Sequence, residues 1–172
     1  MGFALAEACA ERGAEVTLVA GPVSLKTHHP AIKRIDVESA GEMYQAAMTA
    51  FPSSDAAILC AAVADYRPEN ASEQKIKRET EGEMTLHLVP NPDIAASLGA
   101  IKREGQVMVG FALETNDEAT HAEGKLKRKN LDFIVLNSLR DQGAGFRCDT
   151  NKITIIAVSY THLRAHETEA DL

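Results

Sequence analysis

The apolar positions along the chain fall into short segments that alternate between a helical period and an extended one. Small and apolar residues recur from Gly2 to Arg12, which predicts a helix that ends at Gly13. Runs of β-branched and apolar residues between turn residues predict strands. These predicted strands are Glu15–Ala20, Ile35–Val37, Ala56–Val63, Met84–Val89, Val107–Phe111, Asp132–Leu136 and Ile153–Val158.

Helical segments are predicted between these strands. Ser39 and Glu42 have the spacing of a capping box, which predicts a helix through about Ala50. Asn91 and Pro92 predict the cap and the first position of another helix, and Asp117–Asn130 predicts a further one. Strands separated by helices of about ten residues are typical of parallel sheets. The sequence therefore predicts a single α/β domain with three layers and a mostly parallel sheet.

Composition and charge narrow the function classes. The 172 residues are 45% hydrophobic with a formal net charge of −7, which argues against nonspecific nucleic-acid binding. No apolar run is long enough to cross a membrane, and the first residues do not resemble a secretory signal. The three cysteines Cys9, Cys60 and Cys148 are far apart, which disfavours a disulfide framework or a zinc site. We expect a cytoplasmic enzyme.

Ligands of parallel α/β sheets bind beyond the carboxyl ends of the strands. Four segments begin there in the predicted sheet, namely Gly21-Pro22, Ala64-Asp65, Phe111-Ala112 and Asn137-Ser138. After Asp65 a long polar stretch runs to Glu83, and loops of this length inside a domain tend to be functional. We therefore expect the functional residues to lie at the carboxyl edge of the sheet.

Each candidate segment at this edge has a functional and a purely structural interpretation. Asp65 and the cations of Lys75–Arg78 suit the binding of a metal-bound triphosphate. The alternative is that this segment is only a solvated loop. The helix start at Asn91 attracts anions, or is simple capping. Phe111 stacks on a base, or belongs to the core. Lys125 and Lys129, four residues apart, clamp polyphosphate, or form an exposed basic face.

The order of these motifs is more specific than any one of them, and it resembles the bacterial phosphopantothenoylcysteine synthetases. The likeness is to the synthetase half of the bifunctional decarboxylase/synthetase proteins, over roughly residues 1–157. The segments that carry it are Met1–Ala6, Gly21–Leu25, Ala61–Pro68, Lys75–Lys77, Asn91–Ile94, Gly110–Thr115 and Lys129–Asp132.

The resemblance implies a Rossmann-like fold and a ligation in two steps. The carboxylate of 4′-phosphopantothenate attacks the α-phosphate of CTP with Mg²⁺ and releases pyrophosphate. The amine of cysteine then attacks the acyl-cytidylate and releases CMP. FMN is implied only if a decarboxylase domain precedes this one, and the full-length protein is expected to be a homo-oligomer.

The resemblance also implies roles for particular residues. Asp65 would lie near the ribose or the metal, and Lys75 matches the family's active-site lysine. The nucleotide site as a whole would comprise Cys60, Ala61, Asp65, Lys75, Asn91, Pro92, Asp93, Ile94, Phe111, Lys125 and Lys129.

The chain departs from the family pattern at both ends. Family members have a strand and an Asn-His/Arg-Ser-Ser-Gly segment just before the position of Met1, so we expect an N-terminally truncated domain over 1–158. Residues 159–172 do not resemble the family's end and are expected to be a non-native tail. Two alternatives stay open: a generic nucleotide-binding or NAD(P)-binding α/β domain, and a catalytically incomplete fragment.

Overall fold

A computed structural model describes residues 1–70, 72, 74–76, 84–114, 124–138 and 153–157. It contains the helices α1 (Gly2–Glu11), α2 (Ala40–Ala50) and α3 (Ile94–Ile101), a 3₁₀ turn at Phe51–Ser53 and helical residues 124–128. Its strands are β1 (Val16–Ala20), β2 (Ile32–Asp36), β3 (Ala56–Leu59), β4 (Tyr66–Pro68), β5 (Leu88–Pro90), β6 (Val107–Glu114), β7 (Phe133–Ser138) and β8 (Ile153–Ala157).

The described strands form a parallel pair, a mixed four-stranded piece and a separate two-stranded arm. β1 pairs with β2, and the larger piece has the order β3-β6-β7-β8. Pairing is parallel from β3 to β7, whereas β8 is antiparallel to β7. β4 and β5 form the antiparallel arm. The predicted α/β fold with mostly parallel pairing is confirmed.

The main core lies where α2 and α3 pack on the larger sheet. Among the described residues, Leu98, Met108 and Ile134 are the largest fully buried side chains, and Phe51 joins the same cluster. Burying one such side chain stabilises the fold by about 1.5–3 kcal/mol. Because α3 supplies Leu98 to this cluster, its N-terminus is held at a fixed place on the sheet.

Two predicted helix ends are confirmed. Ser39 Oγ accepts a hydrogen bond from Glu42 N (3.2 Å), and Glu42 Oε2 accepts one from Ser39 N (3.3 Å), which is the predicted capping box. α1 ends at Glu11, and Gly13 follows with a φ of +91°, a left-handed conformation that glycine adopts without steric cost.

Several predicted boundaries are wrong. The helix predicted to begin at Asn91 and Pro92 begins at Ile94, with Asp93 as its cap. The predicted strand Ala56–Val63 ends at Leu59, and it is not covered on both faces because Ile58 is 42% exposed.

Other strands differ from prediction in extent. β2 covers 32–36 rather than 35–37, and β5 is only the end of the strand predicted from Met84. The polar stretch after Asp65 holds the strand β4, which the sequence did not predict. β6 runs three residues past its predicted end at Phe111.

Some predictions lie outside the described residues: the first part of the helix predicted at Asp117–Asn130, the turn at Asp149–Asn151 and the tail 159–172. In the part of the chain that the structure describes, no helix is both long and apolar enough to cross a membrane.

Candidate functional site

Asn91 joins the segment after β3 to the start of α3. Its Nδ2 donates to the carbonyl of Ala64 (2.9 Å), and its backbone N donates to the carbonyl of Asp65 (2.7 Å). Arg67 Nη1 donates to the carbonyl of Pro90 (2.8 Å) and to Asn91 Oδ1 (3.2 Å). The side chain that was predicted to cap the helix is therefore used to fix the backbone at Asp65.

Asp93 occupies the N-terminus of α3. Its Oδ1 accepts from Ala96 N (3.0 Å), and its Oδ2 lies 3.0 Å from Lys129 Nζ. Burial raises the pKa of Asp93, but the Ala96 hydrogen bond and the Lys129 ammonium outweigh it and hold the pKa below its usual value. A carboxylate and an ammonium thus meet at the positive end of the helix dipole.

The backbone around Lys129 is held against α3 by close contacts. A Cβ built on Gly99 would overlap the Lys129 carbonyl oxygen, so only glycine permits this approach. Asn130 has a φ of 51°, and its Nδ2 donates to the Gly99 carbonyl (3.0 Å). Lys102 Nζ donates to the Asn130 carbonyl (3.2 Å) and to Asp132 Oδ2 (2.6 Å). These contacts fix the position of the Lys129 backbone, from which its side chain extends.

Lys125 and Lys129 are one helical turn apart. The Lys129 N–H donates to the Lys125 carbonyl (3.0 Å), and the helical residues end at 128, just before Lys129. Both residues are half-buried. The sequence predicts that Lys129 contacts phosphate. In the structure Lys129 forms an ion pair with Asp93, and this pairing was not predicted from the sequence.

Cys60 and Phe111 lie on neighbouring strands. Leu59 pairs with Gly110, so Phe111 is next in register to Cys60, one residue past the end of β3. Phe111 was predicted at a strand end, which is wrong: it pairs with Val135 inside β6 and is half-buried. Burial raises the pKa of the Cys60 thiol, and the nearby N-terminal charge offsets only part of this. Ala61, which follows Cys60, is exposed.

Lys75 and Asp65 are both exposed, and no hydrogen bond or ion pair joins them within the described ranges. Lys77 and Arg78 lie outside those ranges. No group of three or more His, Cys, Asp or Glu residues that could hold a metal occurs in the described part of the chain. Asp65 is an exposed carboxylate, and Mg²⁺ that is carried by substrate phosphates often takes only one or two protein carboxylates.

The structure therefore brings together part of the predicted set. The residues joined by contacts or by sequence at the α3 N-terminus are Asp65, Asn91, Pro92, Asp93, Ile94 and Lys129. Lys75 is not joined to them.

A second surface feature lies beside β2 and was not predicted as a separate site. It is a depression of about 370 Å³ lined by 23–28, Arg34 and Asp36. Arg34 Nη1 donates to the Leu25 carbonyl (2.6 Å), and Arg34 Nε donates to Asp36 Oδ1 (2.7 Å), which holds the loop on β2. The sequence signal for it is the Gly21-Pro22 segment at the end of β1.

Residues 1–170 match the family described as "DNA/pantothenate metabolism flavoprotein C-terminal domain". The chain is 60% identical over 156 residues to a "Cysteine/Cysteine sulfinic acid decarboxylase" from an unknown prokaryotic organism, covering 91% of this chain and 43% of that protein. It is 51% identical over 156 residues to a "Coenzyme A biosynthesis bifunctional protein CoaBC" of Vibrio parahaemolyticus, covering 90% of this chain and 39% of that protein. The chain thus spans about two fifths of the length of these relatives.

The fold is similar to that of a solved domain. That domain is the C-terminal domain of a coenzyme A biosynthesis bifunctional protein CoaBC, with a TM-score of 0.76 and 32% sequence identity. The match covers 95% of this chain and 71% of that one.

Proposed function

The chain belongs to the family of DNA/pantothenate metabolism flavoprotein C-terminal domains, and from this premise we propose that it is the nucleotide-binding part of a phosphopantothenate–cysteine ligase. The proposed reaction couples 4′-phosphopantothenate to cysteine at the expense of CTP, in the cytoplasm, as a step of coenzyme A biosynthesis. Several of the relatives that it matches are named as coenzyme A biosynthesis proteins, which supports this pathway.

One arrangement carries the proposal. The backbone at Asp65, the amide of Asn91, the N-terminus of α3 and the Lys129 ammonium form a continuous series of contacts. Such a series at the carboxyl ends of parallel strands offers a carboxylate, a helix N-terminus and a cation to one ligand. These groups suit a nucleotide that carries polyphosphate.

In the proposed mechanism the protein positions reactants and balances charge. The pantothenate carboxylate attacks the α-phosphorus of CTP, the bond to the β-phosphate oxygen breaks, and pyrophosphate leaves. Lys129 moves from Asp93 towards the phosphates, and Lys75 approaches from the loop after β4. Asp65 would hold the Mg²⁺ that enters with the nucleotide, and the metal would supply positive charge to the polyphosphate. The cysteine amine then displaces CMP from the acyl carbon.

The remaining predicted groups bind the nucleotide in supporting roles. Phe111 and Cys60, on neighbouring strands, line one side of the nucleotide site. The small side chain of Ala61 allows the nucleotide to approach the backbone closely. Lys125 adds positive charge one helical turn before Lys129. The full-length protein is proposed to be a homo-oligomer. FMN belongs to the proposal only for a longer protein with a decarboxylase domain.

Protection against thermal unfolding tests the nucleotide assignment on this chain. We expect CTP with Mg²⁺ to raise the melting temperature, and NADPH to have no effect, because no Gly-x-Gly-x-x-Gly pattern is present. Lys129→Gln should remove most of the CTP effect, whereas Lys33→Gln, an exposed lysine on β2, should leave it intact. Protection by NADPH but not by CTP would instead support a dinucleotide-binding domain.

A second candidate is a chain that binds nucleotide without turnover. Pyrophosphate release from CTP, phosphopantothenate and Mg²⁺ by the chain alone separates the two. Release supports a complete ligase, while CTP protection without release supports an incomplete one.

A further inference from the structure

The Arg67 side chain crosses the arm formed by β4 and β5 and reaches the segment before α3. Arg67 belongs to β4, where it pairs with Val89 of β5. Its Nη1 donates to the carbonyl of Pro90 (2.8 Å) and to Asn91 Oδ1 (3.2 Å). Because this nitrogen carries two N–H groups, it can serve both acceptors at once. Arg67 therefore ties the base of the arm to Asn91.

These contacts decide which way the side-chain amide of Asn91 is turned. Its Nδ2 donates to the Ala64 carbonyl (2.9 Å), while its Oδ1 accepts from Arg67. The opposite orientation would place Oδ1 against a carbonyl oxygen and Nδ2 against a guanidinium, and neither pair can form a hydrogen bond. Arg67 and the Ala64 carbonyl thus favour the same orientation. Without Arg67, only one of the two contacts that fix the amide remains.

The orientation of Asn91 matters for the backbone at Asp65. Asn91 holds two consecutive carbonyls, that of Ala64 through Nδ2 and that of Asp65 through its backbone N (2.7 Å). The Ala64 carbonyl belongs to the planar peptide group that leads into Asp65. A contact that holds this carbonyl therefore also fixes the position from which the exposed Asp65 side chain extends.

We propose that Arg67 is a positioning residue of the nucleotide site, which acts on Asp65 through Asn91 and does not itself contact the nucleotide. The proposal rests on the proposed function, because it adds a residue to the same site. Groups that touch a ligand need supporting contacts to hold them in place, and the loss of such a contact weakens binding although no ligand contact is removed. Arg67 was not among the site residues predicted from the sequence.

Two other roles for Arg67 lead to different expectations. A direct contact between Arg67 and the phosphates would contribute to binding independently of Asn91. A purely structural role in the arm would lower the free energy of unfolding and leave the affinity for CTP unchanged. A double-mutant cycle between Arg67 and Asn91 separates these roles from the proposed one.

The cycle is measured as the Kd for CTP with Mg²⁺, by isothermal titration calorimetry on the chain at a temperature at which every variant is folded. Arg67→Met keeps an unbranched stem and removes the donor, and Asn91→Ala removes its acceptor. We expect each single variant to raise Kd about fivefold, the size of one lost hydrogen bond, and the double variant to raise it about fivefold rather than about 25-fold.

Arg12→Met is the matched control. Arg12 is also an exposed arginine whose guanidinium donates to a backbone carbonyl, that of Ala8 (2.9 Å), but it lies at the end of α1. This variant should bind CTP as tightly as the parent does. The control shows whether the loss of any one positive charge from the chain is enough to weaken binding.

Nuclear magnetic resonance of the chain without nucleotide measures the first step by itself. The Nδ2 protons of Asn91 should exchange with water at least about threefold faster in Arg67→Met than in the parent, because one of two contacts is lost. The Nδ2 protons of Asn130 donate to the Gly99 carbonyl and serve as the internal control, so their exchange should not change.

The outcomes keep this proposal and the proposed function apart. If the parent binds no CTP, the proposed function fails, and the role of Arg67 in the nucleotide site fails with it. If the parent binds CTP, three results would overturn the role of Arg67 alone. These are additive effects in the cycle, an unchanged Kd in Arg67→Met, and unchanged exchange of the Asn91 amide.

Discussion

Asp93 and Lys129 lie 36 positions apart in sequence and form an ion pair, with 3.0 Å between Oδ2 and Nζ. The same carboxylate caps α3 through Ala96 N. One side chain thus fixes both a helix start and the cation nearest to it. A ligand that draws Lys129 away still leaves Asp93 a hydrogen-bond partner at the helix.

Substitution of Asp93 separates its two contacts. Asp93→Asn keeps a good capping group and removes the charge, so we expect a loss of a few tenths of a kcal/mol. Asp93→Ala removes both contacts and should cost about 1 kcal/mol in the free energy of unfolding. Urea denaturation of both variants measures this difference. Equal losses for the two variants would mean that the cap contributes nothing.

Stability should depend on pH through Asp93. Its pKa is lowered in the folded state, so its contribution is present above the unfolded pKa and is lost as pH falls through the folded pKa. The stability gap between the parent and Asp93→Asn should therefore be constant near pH 7 and shrink below about pH 3.9. Urea midpoints measured across this range check the sign. A gap that widens on acidification would show the opposite shift.

Gly99 should be intolerant of a side chain. Gly99→Ala places a Cβ against the Lys129 carbonyl, and overpacking of this kind costs about 1–3 kcal/mol, which outweighs alanine's better helix propensity. Gly41→Ala in α2 is the matched control, because the nearest heavy atom to its Cβ is Ser39 Oγ at 3.9 Å, an ordinary contact distance. It should be neutral or stabilise by up to about 1 kcal/mol. Thermal unfolding distinguishes the two, and similar melting temperatures would refute the close approach.

Asn91 should be needed for the geometry at Asp65 rather than for the helix. Asn91→Asp loses the donor to the Ala64 carbonyl but keeps an acceptor for Arg67. We expect both Asn91→Asp and Asn91→Ala to weaken CTP protection severalfold, while helix content by circular dichroism stays unchanged. A loss of helix content instead would restore the capping role that the sequence predicted.

Helix ends were predicted correctly from the sequence where they depend only on residues close by in the chain. The capping box at Ser39 and Glu42 and the helix end at Gly13 depend on residues within one turn, and both are confirmed. The cap of α3 was misassigned because Asn91 and Asp93 are both good caps. The choice between them depends on the Ala64 carbonyl, 27 residues away.

Strand lengths were predicted less well because pairing partners decide them. The apolar run after Leu59 continues to Val63, yet β3 stops where its pairing with β6 stops. β6 passes Phe111 because β7 continues beside it. Motif order could indicate which segments meet at the carboxyl edge, but not that Lys129 is paired with Asp93.

The central claim is that this domain supplies the nucleotide site of a CTP-dependent ligase. It is tested in a fusion of the chain to the preceding part of the V. parahaemolyticus relative. Lys75→Gln and Lys33→Gln are made in the same fusion, because both lysines are exposed and only Lys75 is assigned to the reaction.

The decisive measurement is pyrophosphate release from CTP in the presence of Mg²⁺, with and without 4′-phosphopantothenate. The account predicts release that requires phosphopantothenate, falls at least about tenfold in Lys75→Gln because a positioned charge is lost, and is unchanged in Lys33→Gln. A folded fusion that releases no pyrophosphate, or a Lys75→Gln variant within about twofold of the parent, would contradict it.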